Sequence, residues 1–144
     1  MNMMTRPAGP RPYADRAGTP PLSGELSLAL EQDGRLIVVR GEGLWTMAQM
    51  EEHLRDYREM LYRQRLIFSR VRVLVDLKDM SVQRPEVADL LSQVTRSFHQ
   101  DGDRIAMIVP SSLAKMQMRR VLETRFHEYF MSTNAARNWL AGGA

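Results

Sequence analysis

Residues 71–98 read VRVLVDLKDMSVQRPEVADLLSQVTRSF, and this stretch decides the fold. Its first part, from Val71 to Leu77, is a nearly continuous run of β-branched and aliphatic residues, which is typical of a strand covered on both faces. From Pro85 onward the apolar residues recur at helical spacing, on one face of a helix. They are Val87, Leu90, Leu91, Val94 and Phe98. The stretch therefore predicts a buried strand that leads into an amphipathic helix, which is half of a βαβ unit.

The segments on either side extend this alternation of strands and helices. Upstream, apolar residues alternate over 26–30, Asp33-Gly34 predicts a hairpin turn, and 35–40 predicts a second strand. Downstream, the pattern predicts strands over 104–109 and 128–131 and helices after Pro110 and over 135–140. With a first helix after Thr46, the order is ββαβαβαβα. It predicts an α/β domain with an open, mostly parallel sheet of about five strands.

The first helix has the clearest start in the chain. Thr46 and Gln49 have the spacing of a capping box, and Trp45 and Met50 occupy the positions of a hydrophobic staple. Trp45 is also a candidate lining residue of a ligand pocket, but the staple accounts for it more simply. The apolar residues then follow three and four apart and predict a buried stripe. Its members are Met47, Met50, Leu54, Tyr57 and Leu61.

Composition separates the chain into two parts. Residues 1–24 contain five of the seven prolines and little aliphatic content, which predicts a flexible leader. Residues 25–144 have the length and hydrophobic content of one domain with a core of its own. No apolar run approaches the length of a transmembrane helix, and the first residues lack the apolar core of a signal peptide. We therefore expect a cytoplasmic protein.

Several classes of site are excluded or disfavoured by residue content. The chain has no cysteine, and His53, His99 and His127 lie far apart with no metal-ligand spacing, so we predict no metal and no cofactor. The net charge is +3, and eighteen of the twenty basic residues are arginine. These arginines are scattered among glutamates, without a basic run or an aromatic platform. We therefore predict no nucleic-acid partner.

The loop after the central strand is the leading candidate site. In open α/β sheets, ligands and partners bind outside the carboxyl ends of the strands. The loop between Lys78 and Glu86 lies at that end, and we predict that its polar residues contact a protein partner or a second copy of the chain. These residues are Lys78, Asp79, Ser81, Gln83, Arg84 and Glu86.

The start of the third predicted helix is a second candidate, as a site for a lipid or nucleotide phosphate. Ser111 and Ser112 follow Pro110, and Lys115 and Arg119 stand four apart on the same helix. Free amides at a helix N-terminus favour anions. Helix capping alone also accounts for both serines, so the two interpretations stay open.

The residues give little support for catalysis. There is no GxSxG motif and no cysteine nucleophile. Asp76 and Asp79, near the end of the central strand, are the nearest approach to an acid–base pair. A structural carboxylate at Asp76, partly buried and hydrogen-bonded to a neighbouring loop, is the commoner arrangement. We therefore predict that the protein is not an enzyme.

Four segments together resemble the STAS fold of anti-sigma-factor antagonists and sulfate-transporter tails, and the related STAS/SEC14-type group of small bacterial proteins. The segments are VLVDLKDMSV at 73–82, the helix through Leu90 and Leu91, IAMIVP at 105–110 and FMSTNAARNWL at 130–140. The resemblance spans about residues 25–140 and rests on apolar spacing more than on invariant chemistry. It implies a STAS-like domain that recognises a protein.

The resemblance also implies a particular switch, from which this sequence departs. Antagonists of the phospho-switch type carry Asp-Ser-Ser at the start of the central helix, where a partner kinase phosphorylates a serine. Here those positions hold Arg84, Pro85 and Glu86. Proline accepts no phosphoryl group but suits the first turn of a helix, and Glu86 is favoured there by the helix dipole. Glu86 is either part of a well-formed helix start or a mimic of a permanently charged state.

Two functions follow from the fold and the resemblance. The first is a non-catalytic recognition or regulatory domain that uses the 78–86 loop and lacks the phosphoacceptor serine. The second is a SEC14-type carrier of a lipid or another small ligand, with an apolar cavity lined partly by Met47 and Met116.

Overall fold

The computed structural model describes residues 24–142, and these form five strands and four helices. In chain order the elements are β1 (Glu25–Glu31), β2 (Leu36–Gly43), α1 (Met47–Arg65), β3 (Arg72–Met80), α2 (Pro85–Arg96), β4 (Arg104–Ile108), α3 (Ser112–Val121), β5 (His127–Phe130) and α4 (Thr133–Ala141). The predicted order ββαβαβαβα is confirmed. The predicted leader, 1–24, lies outside the described residues except for Gly24, which is buried.

The five strands form one sheet in the order β1-β2-β3-β4-β5. β1 and β2 pair antiparallel, and every later pair is parallel. Because strands that are neighbours in sequence are also neighbours in the sheet, α1, α2 and α3 each connect two adjacent parallel strands, and α4 follows the last strand. β3 lies at the centre, which explains why its sequence is the most continuously apolar. The predicted open, mostly parallel sheet is confirmed.

The β1–β2 hairpin turns where the Asp-Gly signal predicted it. Gln32, Asp33 and Gly34 all have positive φ, at 55°, 57° and 82°. Glycine and aspartate tolerate this left-handed region better than most residues, so Asp33 and Gly34 suit the turn, whereas Gln32 adopts a conformation that its side chain disfavours. The turn sets the register in which Leu28 of β1 faces Val39 of β2.

Helices cover the two faces of the sheet unequally. The larger core lies under α1, α2 and α3 and includes Ile37, Val73 and Ile105 from the three middle strands. The smaller core lies under α4 and includes Leu74 and Ile108, which point to the opposite face. Alternation along each strand thus supplies both cores, as expected for a sheet buried on two sides.

Helix starts follow the local chemistry of the sequence. The Thr46 side chain accepts from the Gln49 amide and the Gln49 side chain accepts from the Thr46 amide, which confirms the predicted capping box. Pro85 occupies the first position of α2. Ser111 and Ser132 cap α3 and α4 by accepting from amides three residues ahead.

The carboxyl end of α4 is held to the sheet by arginines. Arg104 of β4 donates to the Trp139 carbonyl at 2.7 Å, and its guanidinium lies 4.0 Å from the Trp139 ring centroid. Arg72 of β3 donates to the Leu140 carbonyl. Positive charge at a helix carboxyl end is favoured by the dipole, and these carbonyls have no partner inside the helix.

A buried ion pair links the elements at the amino ends of the parallel strands, a surface that we call the amino edge. Arg65, in the last turn of α1, donates to both oxygens of Asp103 at 3.1 and 2.7 Å. Asp103 also accepts from the amides of Val71 and Gln100, at 3.1 and 3.0 Å. Asp103 was not among the predicted core or site residues, so this role was missed.

The central strand is longer than its apolar run predicted. It continues through Lys78 and Asp79 to Met80, because Asp79 and Met80 pair with Glu42 and Gly43 of β2 after a register shift. β2 likewise extends to Gly43, beyond the predicted end at Arg40. Backbone pairing therefore continues where the side chains have already become polar.

Among the helices of residues 24–142, none combines the length and the apolar content needed to cross a bilayer.

Candidate functional site

Four loops lie at the carboxyl ends of the parallel strands. They are the β2–α1 loop at 44–46, the β3–α2 loop at 81–84, the β4–α3 loop at 109–111 and the β5–α4 loop at 131–132. Because these strands run parallel, their carboxyl ends meet at one edge of the sheet. We call this surface the carboxyl edge.

The side chain of Gln83 braces two of these loops. Its oxygen accepts from the Trp45 amide at 2.9 Å, and its nitrogen donates to the Gly43 and Ser81 carbonyls at 2.8 and 2.7 Å. The Ser81 amide also donates to the Gly43 carbonyl, at 3.0 Å. Gln83 was predicted to contact a partner, but its amide group is turned inward and fixes the shape of the loop.

Trp45 anchors the same edge from below. Its ring is buried, and the indole nitrogen donates to the carbonyls of Glu25 and Glu42 at 3.1 and 3.0 Å. Met50 is buried as well, as the staple positions predicted. Trp45 also contributes to the base of a groove of about 170 Å³ between α2 and α3, with Val82 and Val87 among its other lining residues.

The predicted partner-binding residues do not all lie in the loop. Lys78 and Asp79 belong to β3, and Glu86 lies in the first turn of α2. Of the predicted set, only Ser81, Gln83 and Arg84 occupy the loop itself. Because β3 is longer than predicted, the loop has four residues, 81–84, and the flanking residues present their side chains from a strand and a helix.

Exposed apolar side chains at the carboxyl edge were missed. Val82 is 89% exposed at the tip of the braced loop, Leu113 in the first turn of α3 is 62% exposed, and Met131 after β5 is 53% exposed. Met47, predicted in the buried stripe, is exposed at the start of α1. The available signal was the position of Val82 itself, a β-branched residue between a strand end and a helix start, with no periodic partner.

The four residues of the predicted anion site do not converge. The Ser111 hydroxyl is occupied as the cap of α3, accepting from the Ala114 amide at 3.1 Å. Ser112 contacts the Met131 sulfur at 3.6 Å. Arg119 turns to β5, where it pairs with Glu128 at 2.8 Å, and Lys115 is half-buried on α3. The serines are adjacent to each other, but Arg119 faces a carboxylate rather than the helix start.

Asp76 is held by cations rather than placed against a second acid. Its carboxylate lies 3.5 Å from Arg40 and 3.2 Å from Lys78, and only 12% of its side chain is exposed. The contacts come from neighbouring strand residues, not from the loop that the sequence suggested. Asp76 and Asp79 share the lining of a pocket of about 180 Å³ with Glu25, Ser27, Arg40, Gly41 and Glu42. This arrangement is an ion-paired surface.

All three histidines of the chain meet inside the fold, which sequence distance concealed. His53, His99 and His127 line an apolar cavity of about 50 Å³ beneath α1 and α2. His99 lies 2.8 Å from the Tyr57 hydroxyl and 3.0 Å from the Thr95 carbonyl. Since a carbonyl only accepts, Nδ1 of His99 carries the proton and Nε2 accepts from Tyr57.

Burial keeps these histidines neutral. It lowers the pKa of His53 and the pKa of His99 below the ordinary value of 6.5. Burial, with His99 and Arg96 nearby, lowers the pKa of His127 to about 3. Burial also raises the pKa of the Tyr57 hydroxyl. The cluster is therefore a neutral hydrogen-bonded network at neutral pH.

The described residues form no metal centre of three or more histidine, aspartate or glutamate side chains. The histidines instead hydrogen-bond or stack: His127 accepts from or donates to the Thr124 hydroxyl at 2.6 Å, and His53 stacks on Tyr57.

Solved structures share this architecture at low sequence identity. An uncharacterised protein of the DUF3478 family with a SpoIIAA-like fold, from Shewanella loihica PV-4, superposes with a TM-score of 0.60 at 15% identity, over 82% of this chain and 93% of that chain. The anti-sigma factor antagonist SpoIIAA in its unphosphorylated form superposes with a TM-score of 0.53 at 11% identity, over 81% of this chain and 97% of that chain. This chain has a SpoIIAA-like fold.

A third structural match is weaker. The STAS domain of an anti-sigma-factor antagonist from Rhodobacter sphaeroides superposes with a TM-score of 0.44 at 21% identity, over 65% of this chain and 92% of that chain. No protein-family model matches the sequence, and no curated protein is significantly similar to it. The two structures with TM-scores of 0.60 and 0.53 confirm the predicted architecture and the resemblance to the STAS fold.

Proposed function

We propose that the chain is a non-catalytic recognition domain that binds a protein through its carboxyl edge. The observation that carries the proposal is the exposure of Val82 on a loop that Gln83 holds in one shape. A rigid loop loses little conformational entropy on binding, and an exposed apolar side chain gains from burial. Leu113 and Met131 extend the apolar surface, and Arg84 adds a charge beside it.

The size of the cavity argues against the carrier hypothesis. Ligand-binding pockets usually enclose about 300 Å³ or more, whereas the internal cavity measures about 50 Å³. Met47 and Met116, predicted to line such a cavity, are both exposed instead, Met116 to 60%. The interior is thus close to filled, and recognition is left to the surface.

A phosphorylation switch at the start of α2 is also disfavoured. Pro85 occupies the first helical position and Arg84 the cap, so neither offers a hydroxyl there. Ser81 is half-buried, and its amide is bound to Gly43. We propose that the carboxyl edge acts without a phosphoacceptor serine and that Glu86 serves the helix start.

Val82→Asp tests the proposal. The variant places a charge at the tip of the apolar surface, and the matched control is Leu66→Asp, an exposed site (72%) after the end of α1. Affinity capture from a lysate of the source organism, and sedimentation of the purified protein, compare wild type with both variants. We expect Val82→Asp to lose a captured partner or self-association that Leu66→Asp retains. Equal binding by all three proteins would refute the proposal.

A further inference from the structure

Among residues 24–142, the outer edge of β1 is open along its whole length. β1 pairs with β2 from Glu25 to Glu31, and no other strand within residues 24–142 pairs with its far side. The strand spans seven residues without a proline, a lysine or a bulge, three of the devices that protect a sheet edge, and its charged residues, Glu25 and Glu31, lie only at its two ends. β5, the other edge strand, has only four residues. β1 is therefore the longer template for an added strand.

A groove follows this edge. It has a volume of about 420 Å³, and its lining residues come from β1 and from the facing side of α1. Leu26 and Leu28 are half-buried there and supply an apolar floor. The remaining lining residues are Ser27, Gln49, Glu52, His53 and Asp56. An extended chain laid against β1 would place alternate side chains over this floor.

The charge around the groove is negative, although the whole chain carries +3. Glu52 and Asp56 are exposed on the α1 side, and Glu25 is exposed at the start of the strand. Glu31 lies at the other end of the strand and forms an ion pair with Arg137 at 3.2 Å. Excess negative charge beside an open backbone edge favours a basic segment.

The same charges disfavour a second copy of this chain. A two-fold pairing of β1 with itself about Leu28 would place Glu25 opposite Glu31 at both ends. Like charges directly opposite one another destabilise a strand pair, and the two acidic α1 surfaces would also approach each other.

We propose that the outer edge of β1 binds an extended basic segment of another protein as an added antiparallel or parallel strand. Backbone hydrogen bonds supply the pairing, Leu26 and Leu28 contact aliphatic side chains of the segment, and Glu52 and Asp56 pair with its basic residues. Apart from Glu25, whose carbonyl accepts from Trp45, the residues of this site differ from those proposed at the carboxyl edge, so each proposal is tested by its own variants.

The probe is a labelled heptapeptide with arginine at both ends and alternating valine and threonine between them. A companion peptide has glutamate at both ends. Fluorescence anisotropy with the full chain is expected to show binding of the arginine peptide and none of the glutamate peptide. Equal binding of the two peptides, or no binding of either, overturns the proposal.

A charge-matched pair of double variants locates the contact. Glu52→Lys with Asp56→Lys reverses the charge beside β1, whereas Glu51→Lys with Glu59→Lys makes the same change of net charge on the α2 side of the helix. We expect the first pair to weaken binding roughly tenfold and the second pair less than about twofold. Equal weakening by both pairs would mean that only the total charge matters, which overturns the site.

Hydrogen exchange tests strand addition itself. The arginine peptide should slow exchange of backbone amides in 25–31 and leave those of β5 unchanged. If these amides are already slow in the full chain without peptide, and the peptide does not bind, the edge is occupied by residues 1–23 or by a second copy, and the proposal is wrong.

Discussion

The two ends of the parallel sheet are each held by one side chain that binds several backbone groups. At the amino edge Asp103 accepts from the Val71 and Gln100 amides and from Arg65. At the carboxyl edge Gln83 binds the Trp45 amide and two carbonyls. The first is a charged group with none of its side chain exposed, and the second is a neutral amide in a partly buried loop.

The contacts of Asp103 therefore have a structural role, and we call them the lock. The loop held by Gln83 instead presents an exposed side chain at its tip. A buried carboxylate is stable only when all of its hydrogen-bond and ion-pair partners are in place. The groups at the amino edge therefore have little freedom to give up these contacts for contacts with another molecule. A neutral amide loses less free energy than a buried charge when one of its hydrogen bonds breaks. It can therefore fix a loop whose tip stays exposed to solvent. Exposed apolar residues occur at both edges, but at the carboxyl edge Val82 projects from the braced loop, whereas Leu66 and Ile67 simply follow the end of α1.

Removing the buried carboxylate should have the largest effect. Asp103→Ala leaves Arg65 without its ion pair and two amides without acceptors, and we expect a loss of about 3–5 kcal/mol in the free energy of unfolding. Urea denaturation followed by circular dichroism measures it. The control is Asp101→Ala, two residues away, which removes an exposed pair with Arg125 and should cost less than about 1 kcal/mol. Similar losses in both variants would contradict the lock.

Gln83→Ala should cost less, about 1–3 kcal/mol, because one amide and two carbonyls lose partners near solvent. Gln93→Ala, on the exposed side of α2, is the matched control and should change stability by less than about 0.5 kcal/mol. The same Gln83 variant should also weaken the partner binding or self-association that Val82→Asp weakens, because the loop loses its fixed shape. Unchanged stability in Gln83→Ala would show that the bracing bonds are not needed.

The features that the sequence predicts well are the ones fixed by local contacts. Periodicity placed all nine elements, and local chemistry placed the Thr46–Gln49 capping box and the Asp33-Gly34 turn, because these signals involve residues within four positions of each other. The apolar run of β3 identified the centre of the sheet for the same reason. Where the controlling contact is local, a single sequence carries it.

Contacts between residues that are distant in sequence could not be predicted from these local signals. Lys78 and Asp79 look like loop residues, and only pairing with β2 extends the strand through them. The bracing role of Gln83 depends on two partners some forty positions away, so it could not be predicted. Met47 fits the helical stripe, but the first turn of α1 extends past the core, so the side chain is exposed. The partner-binding role of the whole predicted set stays a prediction: Lys78, Asp79, Ser81, Gln83, Arg84 and Glu86.

The histidine cavity lies between the two edges and predicts that the free energy of unfolding depends on pH. Because the pKa of each histidine is lower in the folded chain than the ordinary 6.5, the unfolded chain binds more protons below that pH. Stability should therefore fall as pH falls through 6.5, with His127 alone contributing about 1 kcal/mol between pH 7 and 5.5. His127→Gln should reduce this slope in urea unfolding. Equal slopes in wild type and variant would exclude His127 as its source.

The smallest expected effect has the opposite sign and concerns the cap of α2. Arg84 occupies the N-cap position in an extended conformation without a side-chain cap bond, and its positive charge is unfavourable beside a helix N-terminus. Arg84→Asp should therefore stabilise the fold, by about 0.5 kcal/mol, as measured by the thermal midpoint. If the carboxyl edge binds a partner through this arginine, the same variant should bind more weakly, because stability and recognition then place opposite demands on one residue. A more stable variant with undiminished binding would assign recognition to Val82 and its apolar neighbours alone.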